Sequence, residues 1–371
     1  MQFMRNGWYV ACWDSDLDAR PLARTIIGEP VVIFRAGDGT IAALADRCPH
    51  RGVPLSLGKI VDGQLQCAYH GLRFDCTGTC VKNPHVEGRP DGMRTASFAA
   101  HARHGIIWVW MGDARAADPT TIPDYAWFAP DNPRYAVVRG SLSIKADYRL
   151  VIDNLLDLSH AEYLHANTVG TSGSAGSVKS SVVIGEAQVT VLRKVMNLVP
   201  SPVWRNVWKH SERIDQESNM TWRAPCNLLL DLAVMVPDQP RIAGGHLPSA
   251  HLLTPETTDS TRYHFAFARD FLIDDKEYSE RLIAFGTKAF NEEDRPVIEA
   301  AHLRVAQAGD AFRFASFTVG DGGTMRARRM LEKLIAAEQG LRDGAGPQSD
   351  ASARSSGTSE AARQTSAVPQ H

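Results

Sequence analysis

The sequence lacks any excess of charge. Its 40 Lys and Arg stand against 42 Asp and Glu in 371 residues, for a formal net charge of −2. The basic residues are scattered, so a nucleic-acid surface is not expected. No stretch approaches the roughly 18 consecutive apolar residues of a membrane span. The segment Asn6 to Trp13 is too short and polar for the apolar region of a secretory signal. These absences predict a soluble, cytoplasmic protein that binds no membrane. A dinucleotide fingerprint is also missing, because the spacing of Gly170, Gly173 and Gly176 has no strand–helix setting. Without a flavin or NAD fold, redox chemistry in this chain needs electrons from a separate protein. Cysteine is scarce at six, namely Cys12, Cys48, Cys67, Cys76, Cys80 and Cys226. In a reducing compartment those not bound to metal are expected as free thiols.

What is present starts with Cys48, His50, Cys67 and His70. They read as Cys-x-His, sixteen residues, then Cys-x-x-His. Two thiolates and two imidazoles suit a [2Fe–2S] cluster with a cysteine pair on one iron and a histidine pair on the other, the Rieske ligand set. A structural zinc site is the alternative for the same four residues. Zinc spacing usually groups the cysteines together and the histidines together, whereas here each half supplies one of each. Gly52 and Gly71 follow the two ligand pairs and let two loop backbones approach inorganic sulfide. Cys76 and Cys80, with Thr77-Gly78-Thr79 between them, read as a turn and not as further ligands.

The length suffices for two domains. Residues 1–115 read as short strands and turns, with Val31–Arg35 and Ile41–Ala45 around Gly37-Asp38-Gly39, then Leu72–Asp75 and Gly105–Met111. This is an all-β domain with both cluster loops between strands and His50 and His70 near solvent. A Pro- and Asp-rich stretch, Ala117 to Pro133, connects it to a second domain over 116–342. There the pattern gives a strand over Tyr135–Lys145, a helix from Arg149 to His165 and a mobile loop over Asn167–Ser181. Strands follow at Ala187–Val195, Leu228–Val236 and Tyr263–Ala268, then helices over Lys276–Ala308 and Met325–Glu338. Residues 343–371 carry almost no large apolar side chain and are expected to be a disordered tail. The fold class is α+β.

A second constellation lies in the first of those helices. Asn154, Asp157 and His160 recur every three residues along one helical row. His160 and His165 are five apart, about 140° on a regular helix. They converge on one ion only if the helix widens or ends between them, so an irregularity is expected at Glu162–Leu164. Two neutral histidines call for a carboxylate, which would complete the 2-His-1-carboxylate set of non-haem Fe(II). Glu292, Glu293 and Asp294 are the candidates. Asp294 is preferred for its short side chain and its place before Arg295-Pro296, where the helix should distort. The alternative is that these three are ordinary helix-surface charges.

At this point the chain resembles the Rieske non-haem iron oxygenases, up to about residue 340. The phrases NGWYVACW, CPHRGVPLSLG, YHGL, DYRLVIDNLLDLSHAEYLH and HLLTPET are similar to those of the oxygenase components of vanillate and dicamba O-demethylases. The resemblance implies a Rieske domain, a helix-grip catalytic domain of antiparallel sheet plus helices, and a head-to-tail homotrimer. It implies that Cys48, Cys67, His50 and His70 bind the cluster and that His160, His165 and Asp294 bind a mononuclear Fe(II). It implies that Asp157, supported by Asn154, bridges His160 to a cluster histidine of a neighbouring copy, carrying electrons between chains. It implies that Asn227 and His251 fall where substrate-binding polar groups lie; the alternative is that Asn227 satisfies backbone at a strand start and His251 is a packed strand histidine. The residues 222–252 that line the pocket depart from the vanillate-type pattern. The implied activity uses O2, with electrons from NAD(P)H through a ferredoxin or flavin reductase, to O-demethylate or hydroxylate an aromatic acid. Hydroxylation of another aromatic carboxylate is the neighbouring reading, and a Rieske electron carrier the reading from another class. Iron content separates the last two: the oxygenase should hold about three irons per chain and a carrier two. Two irons in fully loaded protein would exclude the catalytic iron.

Overall fold

The computed structural model describes residues 3–344 except 89–91, 166–177, 206 and 316–320. The expected disordered tail therefore lies outside the described residues, apart from the helical end at Asp343 and Gly344.

The N-terminal part is built from three small antiparallel sheets. In the first, β11 (Ile106–Trp110) lies between β1 (Trp8–Trp13) and β10 (Ala100–Arg103). WYVACW and IIWVW are apolar without alternation, and both strands are buried along their whole length. Such runs mark strands covered on both faces. The second sheet has the order β2 (Leu22–Ile26), β3 (Glu29–Arg35), β4 (Ile41–Ala45), β9 (Ser97–Phe98). The third is β5 (Lys59–Val61), β6 (Gln64–Gln66), β7 (Arg73–Phe74), β8 (Cys80–Lys82). The four strands expected in this region are present, and the Leu72–Asp75 strand shortens to β7.

The second part is one seven-stranded antiparallel sheet. Its order is β12 (Ala136–Ile144), β18 (Thr261–Arg269), β17 (Ser249–Pro255), β16 (Asn227–Met235), β15 (Ile214–Arg223), β14 (Gln188–Leu198), β13 (Val178–Gly185). β13, β15 and β17 were not expected from the sequence. Val178–Ser181, assigned to a loop, opens β13, and the rest of that loop, 167–177, lies outside the described residues. IDQESNMTWR of β15 puts Gln216 and Ser218 on its buried face with Met220 and Trp222, so polar residues mask the alternation.

Helices pack on this sheet. In α1 (Tyr148–Leu156), Tyr148, Val151, Ile152, Leu155 and Leu156 form one buried face at helical spacing. Asp147 caps it, its carboxylate accepting from the Arg149 N–H at 2.8 Å. The helix expected over Arg149–His165 does not run through. It stops at Leu156, a 3-10 turn covers Leu158–His160, and α2 (Ala161–Leu164) follows. The break sits at Asp157 and not at Glu162–Leu164, because Asp157 leaves the helix to cap the next turn, accepting from the Ser159 N–H at 3.0 Å. A further single turn, α3 (Pro202–Arg205), lies between β14 and β15. The helix expected over Lys276–Ala308 is α4 (Lys276–Lys288), a π-helical turn at Ala289–Asp294, and α5 (Arg295–Ala308). Pro296 has no N–H for the Glu292 carbonyl and its ring crowds it, which is why the helix widens there. No helix among the described residues is long and apolar enough to cross a membrane.

The two parts share a core. One buried cluster contains Tyr9, Ala11 and Ile33 from the first part and Tyr148, Trp222 and Leu253 from the second. Thr254 Oγ1 of β17 donates to the Val10 carbonyl of β1 at 2.5 Å, and Trp13 Nε1 donates to Gly140 O of β12 at 3.2 Å. The last helix, α6 (Asp321–Gly344), closes the assembly. Its buried Glu338 carboxylate accepts from the backbone N–H groups of Arg5 and Asn6 at 2.7 and 2.8 Å. Glu338→Ala should strand both donors and lower stability by about 2–3 kcal/mol. Urea unfolding of the variant should show a lower midpoint with an unchanged slope.

Candidate active site

The two cluster loops have one design. After β4, the Cys48 N–H donates to the Val53 carbonyl and the Gly52 N–H to the Cys48 carbonyl, both at 2.8 Å. Between β6 and β7, the Cys67 N–H donates to Leu72 O at 2.8 Å and the Gly71 N–H to Cys67 O at 3.1 Å. Both turns need a left-handed residue, and Gly52 and Gly71 have φ of +70° and +72°. The loops thereby hold Cys48 and Cys67 buried and bring the His50 and His70 rings to 4.7 Å between centroids, with His50 exposed. Burial pushes the Cys48 thiol pKa up, against the pull of the His50 and Arg51 N–H groups, and the adjacent Cys67 thiol raises it further. Burial, together with His50, His85 and Arg51, holds His70 below the usual imidazole value, neutral as a ligand must be. A paired set of buried sulfurs and outward imidazoles, with N–H groups directed at sulfur, fits a Rieske cluster. Cys76 and Cys80 lie outside this set. Asp75 ties the turn between them, accepting from the Thr77 N–H at 2.9 Å, and all six cysteines are free of disulfides.

The second centre draws on two chain segments. His160 Nε2 and His165 Nε2 stand 3.6 and 3.2 Å from Asp294 Oδ1. The three ligand atoms all lie within 4.8 Å of one another, and His165 and Asp294 are buried. Each of the three is oriented by another group. His160 Nδ1 donates to the main-chain carbonyl of Asp157. His165 Nδ1 donates to Glu293 Oε2 at 2.7 Å. Asn154 Nδ2 donates to Asp294 Oδ1 at 3.0 Å. Both imidazoles thus turn Nε2 toward Asp294. Burial works to lower the His165 pKa, but Asp294 and Glu293 outweigh it and raise it. Two nitrogens and one carboxylate oxygen on one side of a site are the donor set of non-haem iron, and these residues fit it.

Three candidates from the sequence take these places. Asn154 is on Asp294, not on Asp157. The Asp157 carboxylate accepts through Oδ1 from the Ser159 N–H and Oγ at 3.0 and 2.6 Å, so its contact to His160 is through its carbonyl. Glu293, weighed as an alternative ligand, instead holds a ligand imidazole in place. Its position directly before Asp294 on a widened turn was the available signal.

A cavity of about 160 Å³ opens beside His160, His165 and Asp294. Leu155, Met220, Leu230, Leu232, Phe267 and Phe290 supply apolar wall, and Arg193, Gln216, Ser218, Ser249 and His251 supply polar groups. Asn227 is not among them: it is buried at the base of β16 and its Nδ2 approaches Trp8 O at 3.4 Å, on the other face of the sheet. His251 does line the cavity. Its Nδ1 accepts from the Tyr263 hydroxyl at 2.5 Å, since burial, with Asp294, keeps that phenol protonated. The proton of His251 is therefore on Nε2, which donates to Ser249 Oγ at 2.8 Å. Burial pushes the His251 pKa down to about 4, so the ring is neutral.

A cluster-binding pair of loops and a 2-His-1-carboxylate centre beside a cavity, on one chain, define a two-metal oxygenase. Comparison with known proteins gives the family. A Rieske [2Fe-2S] domain model matches residues 7–98, and a vanillate O-demethylase oxygenase C-terminal domain model matches residues 144–337. The oxygenase component of dicamba O-demethylase from Stenotrophomonas maltophilia is 37% identical over 90% of this chain and 98% of its own. A vanillate O-demethylase oxygenase subunit from Pseudomonas sp. strain HR199 is 34% identical, covering 92% and 98%. The crystal structure of dicamba monooxygenase bound to dicamba superposes with a TM-score of 0.85 at 36% identity, covering 92% of this chain and all of that one. The chain belongs to the Rieske non-haem iron oxygenases, in the group of vanillate- and dicamba-type oxygenase components. Its cofactors are a [2Fe–2S] cluster and a mononuclear iron, and a separate protein supplies its electrons.

The geometry around His165 makes Glu293 testable. Glu293→Ala should weaken iron binding about 10- to 100-fold while leaving the cluster spectrum unchanged. Competition with a chelator measures this, and an unchanged affinity would remove the orienting role.

Proposed function

We propose that this chain O-demethylates a methoxylated aromatic acid, working between copies of itself as a homotrimer in the cytoplasm. The observation that carries the reading is the convergence of His160, His165 and Asp294 on an apolar-walled cavity, each held by a hydrogen bond with a neighbouring group. In this reading Cys48, Cys67, His50 and His70 hold the cluster, and His160, His165 and Asp294 hold the iron. The iron, when bound, supplies O2 activation. The chain's own residues bind, orient and exclude water. Leu230, Leu232, Phe267 and Phe290 flank an aromatic ring and keep the cavity dry. The orienting bonds from Asp157, Glu293 and Asn154 keep the ligand set preorganised through turnover.

Asp157 has a second part in the proposal. Its carbonyl fixes His160, and its carboxylate lies on the half-exposed turn next to that ring. Exposed His50 and half-buried His70 form the corresponding edge of the cluster loops. Head-to-tail assembly would set that edge against Asp157 of the next copy. The vanillate and dicamba relatives are named as O-demethylases, which favours a methoxy group over a bare ring as the site of attack.

Asp157→Asn should retain iron and cluster but lose most turnover, because the carboxylate charge between the centres is gone. Near wild-type activity would overturn the bridge. The reaction itself is read by supplying aromatic acids with and without methoxy groups, a surrogate reductase and O2. Formaldehyde in step with substrate loss is expected. Turnover of a methoxy acid without formaldehyde would replace demethylation with ring or alkyl hydroxylation.

A further inference from the structure

The cavity floor is the sheet face on which alternate residues of β14 to β17 point the same way. The register sets Arg193 of β14 opposite Ser218 of β15, and Ser218 opposite Leu232 of β16. On the adjacent rung Met220 faces Leu230, and Leu230 faces Ser249 of β17. The floor therefore runs from a guanidinium at the β14 side, past a hydroxyl, into aliphatic side chains. Gln216 stands next to Ser218 and donates its amide to that hydroxyl at 3.2 Å. Among the described residues that line the cavity, Arg193 is the only lysine or arginine.

The residues suggested by sequence have other hydrogen-bond partners. Asn227 is turned to Trp8, and His251 is neutral with both ring nitrogens engaged by Tyr263 and Ser249. β17, which carries His251, is three strands from β14.

Arg193 is half-buried. Burial lowers its pKa, and the Glu162 and Asp157 carboxylates of the neighbouring turn act in the opposite sense. It stays charged at any working pH. A planar guanidinium in a partly dry, apolar-walled cavity gains most from a planar oxyanion that meets it with two parallel hydrogen bonds.

We infer that Arg193 is the anion-anchoring, specificity-determining residue of this cavity. It takes the carboxylate of the aromatic acid and leaves the ring on the apolar floor toward His160, His165 and Asp294. The inference rests on the cavity being the substrate site of the oxygenase. It assigns the acid group of the substrate to β14, away from β17. The rival role for the same side chain is a purely structural one, in which Arg193 steadies α2 through Glu162.

The test is calorimetric titration of the oxidised holoenzyme without reductase, so that binding is read apart from turnover. The probes are vanillate, 2-methoxybenzoate and 4-methylbenzoate, each paired with its neutral methyl ester. Arg193→Gln should weaken binding of an acid about 10- to 100-fold and of its ester less than about 3-fold. Arg193→Lys, which keeps the charge but not the fork, should bind the acids with intermediate affinity. An equal loss for acid and ester would show the structural role and overturn the proposal, as would no loss. A wild-type protein that binds none of the acids more tightly than its ester overturns it as well. Formaldehyde release is assayed separately. Acid-selective binding that depends on Arg193, without formaldehyde, keeps Arg193 as the anchor and removes demethylation alone.

Discussion

Three donors can meet at one point in this chain only because two helices are irregular where the donors sit. On a regular helix, residues five apart diverge by about 140°. The stop at Leu156, the 3-10 turn through His160 and the short α2 remove that divergence. On the opposite side, the π-helical turn at Ala289–Asp294 carries Glu293 and Asp294 to the same place. Convergence alone would leave the imidazoles free to rotate. The acceptors on the two Nδ1 atoms, a carbonyl at His160 and a carboxylate at His165, fix both tautomer and ring direction. One wall of the cavity follows from where this triad is held, and the sheet supplies the rest.

The π-helical turn is in turn held from below. Phe290 within it packs on Phe265, Tyr263 and Phe267, at 4.8, 5.3 and 6.1 Å between ring centroids. These three rings come from alternate positions of β18 and point to one face of the sheet. Gly286, one turn earlier, lets α4 approach the sheet closely, since a Cβ there would lie 2.3 Å from the Phe267 ring. The widened turn is thus seated on an aromatic bed, and the ligand carboxylate stands four residues further along the same backbone.

Much of this was legible in the sequence, for reasons tied to particular residues. Cys48, His50, Cys67 and His70 carry a spacing that few other chemistries use, and glycines mark both turns. His160, His165 and Asp294 are dense in ligand types, and Pro296 announces the distortion beside Asp294. The misplaced features have two causes, local capping at Asp157 and long-range strand register elsewhere. Asp157 fits a helical row by spacing, yet its short carboxylate competes for the backbone and caps the next turn. Asn227 resembles a pocket residue by position, and only strand pairing shows that it faces Trp8. Arg193 and Lys194 look alike as neighbours in the chain, and only the pleat of β14 turns the first inward. Polar residues on the buried face of β15 hid a strand for the same reason.

The grip of Glu338 on the backbone of Arg5 and Asn6 joins the last described helix to the approach of the first strand. The acceptor stands 333 positions along the chain from the Arg5 N–H, so the bond ties together two segments at opposite ends of the described fold. The core that holds Tyr9 of β1 also takes Ala327, Leu331 and Ile335 of α6. The seat of β1 is thus made in part by the last described helix. A change in α6, far along the sequence from either ligand set, therefore acts on the packing of the first strand.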